Sequence, residues 1–94
     1  MPDAPAIPVF RQDIDLMAWG AYPIVGTISK APSVFVNGIP IMTVLSLTAN
    51  AGVMVTGSAS VFAEGLPVCR IGDLAESEGG VQEVLEGSPN VFSV

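Results

Sequence analysis

The residues able to do chemistry are few in this chain, and their spacing suits chemistry poorly. Histidine is absent and Cys69 is the only cysteine, so neither a histidine-activated nucleophile nor an intramolecular disulfide framework can be assembled. Ser33, Ser58, Ser60 and Ser88 therefore lack the usual general base. Asp13 with Asp15, and Glu76 with Glu78, are carboxylate pairs at a spacing that could serve a calcium site or acid-base work. Neither pair sits in an EF-hand pattern or a glycine-rich phosphate loop, and both read as solvated loop charge. Arg70 and Asp73 lie within reach across one turn, where an ion pair bracing Gly72 is expected. Cys69 reads as a small buried hydrophobe. Trp19 with Tyr22 is either core or a contact anchor, with core the default for lone aromatics. No catalytic residue is assigned, and no enzymatic activity is expected.

Composition narrows the classes further. A chain of 94 residues can bury one modest core, which sets the expectation of a single domain over 1–94 with a loose arm at 1–6. Hydrophobic residues make up 50% and charged residues 13%, about half the usual charged share, so apolar surface should remain for a partner. The net charge of −6, with only Arg11, Lys30 and Arg70 on the basic side, leaves no patch to neutralise phosphates and excludes nucleic acid as a partner. From Ala31 to Ala63 no residue is charged, but Pro32, Asn37, Gly38, Pro40, Asn50, Gly52 and Gly57 break the run at turn spacing, which argues against a spanning helix. No basic region followed by an apolar run opens the chain, so no secretory signal peptide is expected and synthesis is cytoplasmic.

The elements that position these residues come from a phrase written three times. Ser60-Val61-Phe62-Ala63-Glu64-Gly65-Leu66-Pro67-Val68-Cys69-Arg70 matches Ser33-Val34-Phe35-Val36-Asn37-Gly38-Ile39-Pro40-Ile41-Met42-Thr43 at each Val-Phe, Gly and Pro. The third copy is split between Asn90-Val91-Phe92-Ser93-Val94 and Ile7-Pro8-Val9-Phe10-Arg11. Asn37-Gly38 is a strong two-residue hairpin signal because both residues tolerate positive φ, and Glu64-Gly65 stands in the same place. Gly57-Ser58 and Gly87-Ser88 mark earlier turns. Strands are expected before each phrase, at 22–29, 53–56 and 81–85, with loops over 45–52 and 72–80. Residues 12–20 read as a loop with room for a short helix over 13–19, its acids in the first turn. Units of about 30 residues cannot bury an apolar face alone, so they must pack around a common axis. The expected fold is all-β, short-stranded, conical and pseudo-threefold, with the two ends of the chain paired to hide both edges.

On these residues the chain resembles the PAAR-repeat proteins, named for a Pro-Ala-Ala-Arg phrase, which cap the spike of contractile injection machines such as phage tails and type VI secretion systems. The phrase stands here as Pro8-Val9-Phe10-Arg11, Pro40-Ile41-Met42-Thr43 and Pro67-Val68-Cys69-Arg70. The family's wider pattern is met by Gly57-Ser58-Ala59-Ser60-Val61, Gly65, Pro67, Arg70, Gly72 and Asp73. The resemblance implies a zinc ion held by three histidines and a cysteine near the vertex. This chain has no histidine, and Cys69 aligns with the apolar Phe10 and Met42, so no metal and no other cofactor is expected. In the loops that would carry ligands stand Leu16, Met17, Leu47, Thr48, Ala49, Asp73, Glu76 and Glu78, and a plug of Leu16, Met17 and Leu47 could replace the metal.

The resulting expectation is a structural cap that sharpens the tip of a trimeric, β-helical, membrane-piercing spike, one cap per trimer, at the tip of a phage tail or bacterial secretion apparatus. An internal threefold axis would let one chain use the same contacts three times, and the target membrane is met on penetration. Val34-Phe35, Val61-Phe62 and Val91-Phe92 supply either the shared core or the apolar seat on the spike, core being the default for such residues. Two alternatives belong to other classes: a small metal-stabilised binding module using Cys69 and the acids of 73–78, or a glycan-binding adhesive β domain.

Overall fold

Three strand phrases meet in a ring of backbone hydrogen bonds, and the rest of the chain hangs from that ring. In the computed structural model, which describes residues 6–19, 22–24, 26–48, 52–77 and 80–94, Phe10 N–H donates to the Cys69 carbonyl, Cys69 N–H to Met42 and Met42 N–H to Phe10, each at 2.9 Å. Isolated bridges join Val9 to Arg70, Arg11 to Ile41 and Thr43 to Val68 in the same cyclic order. The carbonyls of Pro8, Pro40 and Pro67 accept from Ile71, Gln12 and Val44 at 2.9–3.0 Å. Each link recurs three times with the units permuted, which is the pseudo-threefold symmetry anticipated from the repeats.

The strands are short. In chain order they are β1 Ile7–Pro8, β2 Met17–Trp19, β3 Tyr22–Ile24, β4 Thr27–Ile28, β5 Ala31–Val36, β6 Ile39–Ile41, β7 Leu47–Thr48, β8 Val53–Met54, β9 Phe62–Ala63, β10 Leu66–Pro67, β11 Leu74–Ser77, β12 Gly80–Val84 and β13 Phe92–Ser93. β5–β6, β9–β10 and β13–β1 form three small antiparallel pairs. The other seven make one sheet in the order β3-β2-β12-β11-β8-β7-β4. It contains the hairpins β2–β3, β7–β8 and β11–β12, joined by β12–β2, β8–β11 and β4–β7 pairing. Its two ends, β3 and β4, are neighbours in sequence, so the sheet circles the axis. Each phrase passes from a small hairpin through the ring into a long hairpin, which puts the two sets on opposite sides of the ring.

Successive residues of an extended chain point to opposite faces. At the ring both faces are buried, which explains the unbroken apolar runs. Val9, Ile41 and Val68 join Ala31, Val36 and Ala63 in a cluster under the small hairpins, while Phe10, Met42 and Cys69 join Met17, Met54, Ala75 and Val84 on the other side.

The termini pair as expected, with Ile7 opposite Ser93, Pro8 opposite Phe92, and Val9 N–H donating to Val91 at 3.1 Å. Asn37-Gly38 and Glu64-Gly65 take positive φ at both residues, as their hairpins require. Three expectations need correction. No helix is present among the described residues: 12–14 is a turn, and Met17–Trp19 is a strand. Asp13 at φ 59 is incompatible with a right-handed helix, and Met17 is drawn into the core by pairing with Val84. The segments 45–52 and 72–80 are not loops throughout, since β7 and β11 lie in them. Each is held by the strand it pairs with rather than by its own periodicity. Asp15 is buried rather than solvated, because Arg11 folds over it. The arm at 1–5, Ala49, Glu78 and the side chains of Trp19 and Tyr22 lie outside the described residues.

Candidate partner interface

The three small hairpins present one phenylalanine each. Phe35, Phe62 and Phe92 pair with Pro40, Pro67 and Pro8, and strand alternation turns their side chains outward while Val36, Ala63 and Ser93 point in. They are 59%, 55% and 51% exposed, which corrects the expectation that they form core. Of the valines before them, Val34 and Val91 are partly buried against the cluster under the hairpins and Val61 is 37% exposed. Three exposed phenyl rings at equivalent positions of a threefold body form an apolar triad that the described residues do not cover.

Polar clasps hold each hairpin turn against the next unit. The Ser88 hydroxyl donates to Asn37 Oδ1 at 2.6 Å, and Asn37 Nδ2 donates to Asn90 Oδ1 at 2.7 Å. The Ser33 hydroxyl and N–H donate to Glu64 Oε2 at 2.7 and 3.1 Å, and the Ser58 hydroxyl donates to the Val94 carbonyl. The Ser33 bonds hold the exposed Glu64 carboxyl below its ordinary range, since they favour the charged form. Ser58 and Ser88 each also accept two N–H bonds from the residues after them, and Ser29 plays this part in the first unit, two residues further from its valine. Those two extra residues produce the register break between Ala31 and Phe35. The sequence signals the hairpin turns but not these clasps, which depend on which unit follows which around the ring.

A second set of polar groups braces the turns beyond the ring. Arg70 N–H and Nε both reach Asp73 Oδ2, at 2.7 and 3.1 Å, the ion pair expected around Gly72. Arg11 N–H and Nε reach Asp15 Oδ2 at 2.8 Å, and Asp15 raises the Arg11 pKa. The first unit substitutes hydroxyls: Thr43 N–H donates to Ser46 Oγ at 3.0 Å. Asp13, Leu45 and Gly72 occupy the positive-φ position of these turns. Thr56 Oγ1 donates to Asp73 Oδ1 at 3.0 Å, so both oxygens of that carboxylate are engaged in structure.

Among the described residues, the groups that could hold a metal stay apart: no three His, Cys, Asp or Glu side chains form a cluster. Cys69 is fully buried at the ring, its thiol donates to the Thr56 carbonyl at 3.3 Å, and burial pushes its pKa far up, keeping it protonated. Its partners in the ring are the carbon of Phe10 and the thioether of Met42, so the donor set does not fit a tetrahedral zinc ion. Of the expected plug, Met17 is fully buried, Leu16 is half-buried, and Leu47 is exposed.

The fold and surface define a class: an all-β body of three like units around one axis, with an uncovered apolar triad on one side of the ring and no assembled catalytic group among the described residues. A family comparison matches the PAAR motif over residues 23–83, well over half of the chain, and the chain belongs to the PAAR-motif family. Membership is structural in character and implies association with the spike of a contractile injection system. No curated protein matches the chain.

Proposed function

We propose that this chain is the single-domain, non-enzymatic cap of a trimeric β-helical spike, seated one per trimer, which sharpens the spike for passage through a target membrane. The carrying observation is the triad of Phe35, Phe62 and Phe92, each more than half exposed at an equivalent position. A spike trimer has a true threefold axis, and its end can offer three identical apolar surfaces to these rings, so neither partner leaves contacts unused. Burying a phenyl side chain is worth about 1.5–3 kcal/mol, and three act together in one seat. Val61, 37% exposed, adds to the seat beside Phe62, while Val34 and Val91 pack inward and support the hairpins that carry the rings. The cap works at the tip of a phage tail or a bacterial secretion apparatus.

The test uses the cap co-expressed with its spike. Native mass spectrometry should give one cap per three spike chains. Phe62→Asp should remain a folded monomer, because its ring is outside the core, and should lose the spike. Three caps per trimer, or a stable homotrimer of the cap alone, would refute the stoichiometry. Undiminished binding by a variant carrying Asp at 35, 62 and 92 would refute the seat.

A further inference from the structure

Zinc is what the family resemblance puts at the end of the body carrying the long hairpins, and the residues there are of another kind. Beyond the Phe10–Met42–Cys69 ring lie three cross-strand pairs, Val84 with Met17, Met54 with Ala75 and Thr27 with Thr48, all buried. The core therefore grades from apolar to polar in the first unit. Two residues before Val84, on the same face of β12, Gln82 is completely buried. A methyl at Gly52 would collide with Thr48 Oγ1 and lie 2.9 and 3.0 Å from Gln82 Oε1 and Nε2. The carboxamide and the hydroxyl thus converge on one glycine, whose N–H donates to Thr48 Oγ1 at 3.0 Å. Thr48 and Gly52 belong to the β7–β8 hairpin and Gln82 to β11–β12, and the two hairpins are joined by β8–β11 pairing.

We infer that Gln82, Thr48 and Gly52 close this end of the molecule without a metal, doing the joining of hairpins that zinc does in the family pattern. A buried carboxamide carries two donors and an acceptor oxygen, and its burial is costly unless these are hydrogen-bonded. A metal joins loops through ligand bonds from several of them. Here a side-chain amide reaches a neighbouring hairpin whose backbone approaches closely because position 52 has no Cβ. The Met17, Met54 and Val84 side chains pack with the ring residues Phe10, Met42 and Cys69, and among the described residues no three His, Cys, Asp or Glu side chains form a cluster.

Thermal unfolding and amide exchange of the purified full chain test the inference. The chain should carry no stoichiometric metal by elemental analysis, and neither a chelator nor added zinc should move its midpoint. Gln82→Leu, similar in size but unable to hydrogen-bond, should lower the midpoint by about 5–15 °C and speed exchange at Gly52 more than at Phe10, Met42 and Cys69. One metal per chain, a midpoint lowered by chelator, or a Gln82→Leu variant unchanged in both midpoint and Gly52 exchange would overturn it. If Gln82→Leu yields no folded protein, exchange at Gly52 in the wild-type chain with chelator decides: slow exchange supports metal-free closure and fast exchange refutes it.

Discussion

Gly87→Ala probes how the ring is held shut. A methyl at position 87 would lie 2.7 Å from the Val9 carbonyl oxygen and 2.9 Å from both the carbonyl oxygen and Cβ of Pro8. These are backbone and proline-ring atoms of a strand already paired to β13, so no flexible side chain can swing aside. The strand must recede, and the Ser88 N–H bond to the same Val9 oxygen, now 2.8 Å, stretches with it. Overpacking costs about 1–3 kcal/mol, and the weakened hydrogen bond adds about 1 kcal/mol. The sum of about 2–4 kcal/mol corresponds to a fall of roughly 10–25 °C in the midpoint for a domain of this size. Gly57→Ala should behave alike, since its methyl would lie 2.9 Å from the Val68 oxygen and 3.1 Å from Pro67 Cβ. The first unit has Ile28 in this place and tolerates it. There Ser29 N–H donates to the Gln12 side chain at 2.7 Å and only the longer-reaching Ser29 hydroxyl meets Ile41, so the backbones stay apart. Gly72→Ala is the control: nothing lies within 4 Å of its methyl, and its φ of +91 costs about 1 kcal/mol of backbone strain. Circular dichroism during thermal and urea unfolding measures all three. A Gly87→Ala variant no less stable than Gly72→Ala would show that the close approach at position 87 does not hold the ring shut.

Other outcomes follow from the same contacts. Deleting 90–94 removes the partner of Ile7–Pro8 and the acceptor for Val9 N–H, and should abolish soluble folded protein; a truncated chain with an unchanged midpoint would show that the end-to-end pairing is dispensable. Cys69→Ala should cost about 1 kcal/mol or somewhat more, as loss of a small buried group does, measured by urea unfolding. The Ser33 bonds hold the Glu64 carboxyl below its ordinary value of 4.5 in the folded state, so its contribution is complete above that value and is lost as pH falls through the folded pKa. Acidification below pH 4.5 should therefore weaken the wild-type chain slightly more than Glu64→Gln, and identical acid profiles would remove Glu64 from the clasp.

The sequence alone determined the three-unit plan, because Val-Phe and the Pro-led phrase stand in the same order in all three copies, and the Asn37-Gly38 and Glu64-Gly65 turn chemistry is a local property of those residues. It determined the pairing of the two ends for the same reason, since a split copy can be completed only by the other end of the chain. Tertiary structure alone decided what periodicity does not carry. β7 and β11 are strands because β8 and β12 pair with them, although their own residues show no strand signal. Phe35, Phe62 and Phe92 are outside rather than in the core because the parity of the small hairpins gives the inward places to Val36, Ala63 and Ser93. Asp15 is buried because Arg11 lies against it, a pairing one residue longer than that of Arg70 with Asp73. The meeting of Gln82 with Thr48 and Gly52 joins residues from separate hairpins, and only the closure of the sheet around its axis places them together.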